Sequence, residues 1–153
     1  MTMLKLSRKT LLALEAVIDI AFNARPEPVQ AKEITARQGV PQRYLEQVMQ
    51  QLVRAGVLKG VRGPKGGYRL ARERRRISVG DIVRVAEAID DEENNNNAEP
   101  HSALGAQIVT PLIHSLQDEV MARLDAISIE DLCQQARAVG VDCGGRTNAD
   151  FII

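Results

Sequence analysis

The residues best placed to do chemistry are cations and amides rather than nucleophiles. Arg62, Lys65, Arg69 and Arg72 crowd a glycine-rich stretch containing Gly63, Gly66 and Gly67. Shortly before it, Gln42, Arg43, Tyr44, Glu46 and Gln47 fall close together. Guanidinium and ammonium groups of this density suit a polyanion, and Arg, Gln and Glu side chains can read donor and acceptor edges. By contrast, no nucleophile–base pair, phosphate loop or paired carboxylates stand out, so no enzymatic site is expected. His101 and His114 are lone histidines, read as surface or capping residues rather than ligands.

The charge distribution carries the same message. The formal net charge is zero, yet residues 1–76 hold 16 Lys/Arg against 6 Asp/Glu, and residues 77–153 hold 4 against 14. One half is therefore built to face a polyanion and the other is not. Aromatics make up only 3% and Trp is absent, so the core must be aliphatic, which favours packed helices. Two cysteines, Cys133 and Cys143, are too few for a disulfide framework. The apolar stretch 11–24 is broken by Glu15 and Asp19, so it is neither a signal segment nor a membrane span, and a cytoplasmic protein is expected.

The elements that must position these residues follow from periodicity. Residues 7–24 predict an amphipathic helix with Ser7 as N-cap and Leu11, Leu14, Ile18, Ala21 and Phe22 as its apolar face. A short helix over 31–38, a turn at Gly39-Val40-Pro41 and a second helix over 41–55 follow. Pro41 suits the first turn of that second helix, and Leu45, Val48, Met49 and Leu52 form its inward face. Helix, glycine-containing turn and helix make a helix-turn-helix. Strand-like runs over 57–62 and 67–71 then flank the basic tip and predict a hairpin wing. Residues 78–89 predict a helix opened by a Ser78/Asp81 capping box. Residues 90–110, which begin acidic and Asn-rich, predict a flexible loop. A long helix begins or re-anchors at Thr110-Pro111, with Leu112, Ile113, Leu116, Val120, Met121 and Leu124 as a wide apolar stripe. It pairs with a second copy or covers the chain's own core. A final helix over 128–138 places Cys133 in the core, and 139–153 form a tail.

Three segments together resemble the IscR/NsrR/CymR family of winged helix-turn-helix regulators. They are Tyr44-Leu45-Glu46-Gln47, then Ala55-Gly56-Val57-Leu58, then Val61-Arg62-Gly63-Pro64-Lys65-Gly66-Gly67-Tyr68-Arg69-Leu70. Val79-Gly80-Asp81-Ile82 and Ile127-Ser128-Ile129-Glu130-Asp131-Leu132 extend the likeness over residues 5–135. The resemblance implies a mainly α fold with a small β-hairpin wing, a winged helix-turn-helix domain (1–89) and a long dimerisation helix within 111–138. It also implies a homodimer on an approximately palindromic duplex, with helix 41–55 in the major groove and Arg62 of the wing in the minor groove.

Within that frame, Gln42, Arg43, Glu46 and Gln47 are candidates for base edges, and Lys9, Lys65 and Arg69 for phosphates. Glu46 could instead pair with Arg43 or Arg54. Tyr44 reads equally as a DNA contact or a core-edge residue, and Arg72, Arg74, Arg75 and Arg76 as DNA contacts or a solvated loop. Where relatives often carry Lys-Gly-Arg-Tyr, this chain has Lys9-Thr10-Leu11-Leu12, so one expected phosphate-binding arginine is missing.

Many relatives hold an iron–sulfur cluster through three cysteines before the long helix. Residues 90–110 contain none, so no cofactor is expected. The segment Asp150-Phe151-Ile152-Ile153 resembles the Ile-ended tail of serine acetyltransferases, which enters O-acetylserine sulfhydrylase (cysteine synthase). Cluster-free repressors of the CymR type, within the same family, share that ending and that partner. One buried Ile contributes about 2 kcal/mol, and a carboxylate finds backbone donors in such a pocket. The expectation is a repressor of cysteine metabolism that receives its signal through that enzyme. A redox- or ligand-sensing repressor using Cys143 or a pocket beneath the long helix, an adaptor controlling cysteine synthase, and a Phe151-Ile152-Ile153 segment that packs on the chain's own dimer surface or is incidental stay open beside it.

Overall fold

The computed structural model describes residues 7–23, 26–93 and 102–141. Helix α1 (Arg8–Phe22) starts at Ser7, whose Oγ accepts from the Thr10 N–H at 3.2 Å. Its inward face is rotated from the one periodicity suggested. Leu12, Ala13, Ala16, Val17 and Ile20 are buried, whereas Leu11 is 47% exposed. Small residues at 13 and 16 let the neighbouring helices come close, which a face of Leu side chains would prevent.

Helix α2 (Ala31–Gln38) ends at Gly39, which sits at φ +68, the left-handed region where a side chain is strained. Pro41 (ψ 131) then precedes α3 (Gln42–Arg54) as its cap rather than lying inside its first turn. Leu45, Val48, Met49 and Leu52 are all buried, as the pattern required. Strands β1 (Leu58–Val61) and β2 (Gly67–Leu70) form an antiparallel hairpin in the register Leu58↔Leu70 and Val61↔Gly67. A single arginine-rich turn (Arg74–Arg76) leads to α4 (Val79–Glu93). Ser78 and Asp81 cap α4 reciprocally, each side chain meeting the other's backbone N–H at 3.0 Å.

The expectation of a loop over 90–110 is corrected at both ends. Helix α4 continues to Glu93, and helical structure resumes before Thr110 as a π-helical turn, Gly105–Val109. The Ser102 hydroxyl caps this run by accepting from the Gly105 N–H at 3.0 Å. This local cap offsets the glycine and the polar composition upstream. The wide turn lies directly before Pro111, whose ring and missing N–H do not fit a straight α-helix. Helix α5 (Thr110–Asp125) follows, then α6 (Ile129–Ala138), capped by a second reciprocal box of Ser128 and Asp131.

The core gathers α1, α3, α4 and α6 around Val17, Leu45, Met49, Leu52, Ile82 and Ile129. Cys133 lies within it, 0% exposed, as expected of a small core residue. Helix α5 has no buried residue. Its stripe faces outward in part, with Leu112 56% and Val120 41% exposed, while Ile113, Leu116, Met121 and Leu124 are half-buried. Leu104, Ile108 and Val109 extend this exposed apolar surface upstream.

Candidate nucleic-acid interface

The candidate reading surface is built on α3. Burial of Leu45, Val48, Met49 and Leu52 turns the opposite side of the helix outward, which leaves Gln42, Arg43 and Gln47 exposed. Glu46 is half-buried, and its carboxylate accepts from the Gln42 side-chain amide at 3.0 Å. That bond crosses one helical turn and orients both groups. Tyr44 packs against the edge of the core, and its ring lies under the Lys9 ammonium, 5.8 Å from the centroid. Tyr44 is thus a core-edge ring beside Lys9, a candidate phosphate contact.

The wing is fastened to the segment before α2. Val29 and Tyr68 exchange backbone hydrogen bonds at 3.0 and 2.8 Å, adding a one-residue third strand to the hairpin. The Arg69 guanidinium donates to the Pro26 carbonyl, and the Gln30 amide reaches the Pro64 carbonyl at 3.5 Å. Glycine is required at three positions for different reasons. Gly63 holds φ +112, a Cβ on Gly66 would strike the Val61 carbonyl, and a Cβ on Gly67 would strike that of Val29. Arg62 and Lys65 project, exposed, from this pinned tip. Tyr68 packs from the wing against the core. Burial pushes its phenol above the usual value, and the Glu46 carboxylate adds to the shift.

The sequence alone did not separate structural arginines from exposed ones. Arg74 pairs with Glu130 of α6, Arg75 with Glu73 at 2.7 Å, Arg76 with Glu73 at 3.9 Å, and Arg72 with Asp81 at 3.9 Å. Arg72 and Arg74 therefore join the segment after the hairpin to α4 and α6, whereas Arg75 and Arg76 reach only the neighbouring Glu73 and stay exposed. Arg37 likewise belongs to a buried pair. Its Nε and Nη2 donate to Asp19 at 2.8 and 2.6 Å, with Gln38 adding a third bond at 3.1 Å. Asp19 had shown only as an interruption of an apolar run, because its partner lies on the next helix. Asp150, Phe151, Ile152 and Ile153, with Cys143 and His101, fall outside the described residues. His114 is exposed on α5.

The chain matches the model of the Rrf2 family, described as an iron-dependent transcriptional regulator, over residues 6–135. It is 37% identical to the HTH-type transcriptional regulator IscR of Aliivibrio salmonicida, covering 84% of this chain and 77% of that protein. Among solved structures it is similar to IscR of T. potens, with a TM-score of 0.71 and 32% identity over 91% of this chain and 93% of the other. It is also similar to CymR, the global cysteine regulator of B. subtilis, with a TM-score of 0.68 and 31% identity over 87% and 98%.

The iron in that family description can be tested against the residues present. No cysteine lies between 90 and 110. Cys133 is fully buried, and burial pushes its thiol above the usual value, the opposite of what a thiolate ligand requires. Among the described residues, no three His, Cys, Asp or Glu side chains converge as a metal-binding set. The described residues do not fit a thiolate-held cluster. Nor is any described helix long and apolar enough to cross a membrane. What the family shares with this chain runs from α1 to α6, through α3 and the hairpin alike: the chain belongs to the Rrf2 family of DNA-binding transcriptional regulators, which are not enzymes.

Proposed function

We propose that the chain binds an approximately palindromic duplex as a homodimer and represses genes of cysteine and sulfur metabolism without an iron–sulfur cluster. The observation that carries the DNA-binding mode is the wing. A hairpin pinned by Val29, Pro26 and Gln30 presents Arg62 and Lys65 exposed, and α3, in contact with its first strand, exposes Gln42, Arg43 and Gln47. A fixed arginine suits a narrow minor groove, where the negative potential is concentrated, while α3 occupies the adjacent major groove. Gln42, Arg43, Glu46 and Gln47 face base edges, and Lys9, Lys65 and Arg69 the backbone.

Dimerisation is supported by α5. Leu112 and Val120, with Ile113, Leu116, Met121 and Leu124 beside them, form an apolar strip too continuous for a solvated helix. A second copy related by a two-fold axis covers it with the same strip.

The cysteine assignment rests on the likeness to the B. subtilis cysteine regulator and on the missing cysteines at 90–110. In this reading O-acetylserine sulfhydrylase binds Asp150–Ile153 and carries the sulfur signal. A thiol-sensing version would have to use Cys143, because Cys133 is buried. Titrating the sulfhydrylase with a peptide of residues 144–153, followed by its pyridoxal phosphate fluorescence, tests the partner. Saturable binding that needs Ile153 and yields to O-acetylserine is the expected result. An adaptor of that enzyme with no role at promoters would show no steep salt-dependent affinity for any duplex.

A further inference from the structure

Gln42 and Glu46 stand one turn apart on α3, and the Gln42 side-chain amide donates to a Glu46 carboxylate oxygen at 3.0 Å. Gln42 is exposed and Glu46 half-buried. Arg43 and Arg54 lie on the same helix, yet among the described residues no Lys or Arg pairs with Glu46. The group that holds this carboxylate is a neutral amide, so its negative charge is directed without being offset.

The bond decides what each group can still do. A carboxylate only accepts, so the nitrogen end of the Gln42 amide faces it and the amide oxygen points elsewhere. The pair therefore offers a ligand the second Glu46 oxygen and the Gln42 amide oxygen, with a single N–H left over. That is an acceptor-rich spot, the opposite of the guanidinium of Arg43 beside it. In the major groove, cytosine shows an amino donor and adenine an amino donor beside an acceptor, whereas guanine and thymine show acceptors. A carboxylate brought against guanine or thymine gives up its water and finds no donor in exchange. On a free helix a Gln–Glu bond of this spacing is weak. Its effect lies in fixing the direction of a charge that the duplex must desolvate.

We infer that Gln42 is a positioning residue for base selection: it holds Glu46 so that the carboxylate accepts from a base amino group, cytosine ahead of adenine, at one step of each half-site. This rests on the DNA-binding reading above and gives Gln42 a role distinct from independent base readout.

The test uses the full-length chain and a duplex enriched from a randomised pool. Competition between that duplex and each of its single-base-pair replacements gives the preference at every step. For the wild-type chain one step per half-site should favour cytosine over guanine or thymine by roughly tenfold, the scale of one mismatched pair. Glu46→Ala should flatten the preference at that step. Gln42→Ala should weaken it by roughly threefold at the same step and leave every other step unchanged, because a freed Glu46 still accepts but is no longer aimed. Adding Gln42→Ala to Glu46→Ala should change nothing further. A Gln42→Ala chain that keeps the full preference at this step overturns the inference. So does one that loses preference at a different step, since Gln42 would then be reading a base of its own.

Should Glu46→Ala fold poorly, Glu46→Gln keeps the shape and turns one acceptor into a donor; an unchanged cytosine preference in that variant overturns the inference. In solution the Gln42 side-chain amide protons should shift on Glu46→Gln, and unmoved resonances refute the bond. A wild-type chain that binds no duplex overturns both this inference and the DNA-binding reading. Failure of the variant pattern alone leaves that reading standing.

Discussion

Arg84 reaches from α4 to Asp125 at the end of α5 and grips its carboxylate with both terminal nitrogens, at 2.8 and 2.5 Å. The same carboxylate covers Gly80, where a Cβ would collide with it. Backbone bonds from Val79 to Ile127 (2.8 Å) and from Ile129 to Ile77 (2.9 Å) close the junction. This clasp fixes the exposed helix α5 to α4. The Arg84 hydrogen bonds hold the Asp125 carboxyl below the usual carboxylate range. A folded-state value below the unfolded one means that the contribution is complete above about pH 4 and fades as pH falls through the lower folded value. Carbon-detected titration of Asp125 should therefore show a depressed value that returns toward normal in Arg84→Ala. An unchanged value in that variant would contradict the clasp.

The Asp19–Arg37 pair makes a stability prediction. The Asp19 side chain is 2% exposed and that of Arg37 20%, so removing either partner strands a charge away from water. Arg37→Ala and Asp19→Ala should each cost on the order of 3 kcal/mol in urea unfolding. The double replacement should cost clearly less than the sum, since neither charge is then left alone. Additive losses would show that the two residues act independently.

Outward positions on α5 should control assembly without harming the subunit. Leu112 and Val120 lose no core packing when changed, because they are already 56% and 41% exposed. Leu112→Glu with Val120→Glu is expected to give a folded monomer by sedimentation equilibrium, with far-UV dichroism unchanged. A doubly substituted chain that remains dimeric would place the interface elsewhere.

The wing glycines should matter to DNA before they matter to folding. Gly67→Ala drives a methyl into the Val29 carbonyl and must detach the hairpin from its third strand. Affinity for the enriched duplex should fall while the melting temperature changes modestly, since the tip lies outside the core. Arg62→Ala should lower affinity most for sites with an A·T-rich segment under the wing, by roughly 1–3 kcal/mol. Equal losses on all duplexes would reduce Arg62 to an ordinary phosphate contact.

Local signals made much of this molecule legible in its sequence. Ser7 and Ser78 announced helix starts through side chains that bond within three residues, and each does so. The buried face of α3 and the glycine-rich hairpin also followed from spacing alone. What escaped was contact between distant positions. Asp19 meets Arg37 18 residues on, Arg74 meets Glu130, and Lys9 meets Tyr44, none of which any periodicity encodes. The rotation of α1 was missed because alanines at 13 and 16 carry little hydrophobic signal yet take the closest packing. The helical run before Thr110 was missed because its cap, Ser102, sits just after an Asn-rich stretch that dominates the composition.

The central claim is that two copies of this chain read an inverted repeat through α3 and the wing. Selection of duplexes from a randomised pool by the full-length chain, with sequencing of the enriched population, tests it most directly. The account predicts two copies of one half-site, related by a dyad and separated by about one helical turn or more, with an A·T-rich step where the wing falls. Enrichment of a single unrepeated site, or of no sequence at all, would contradict it.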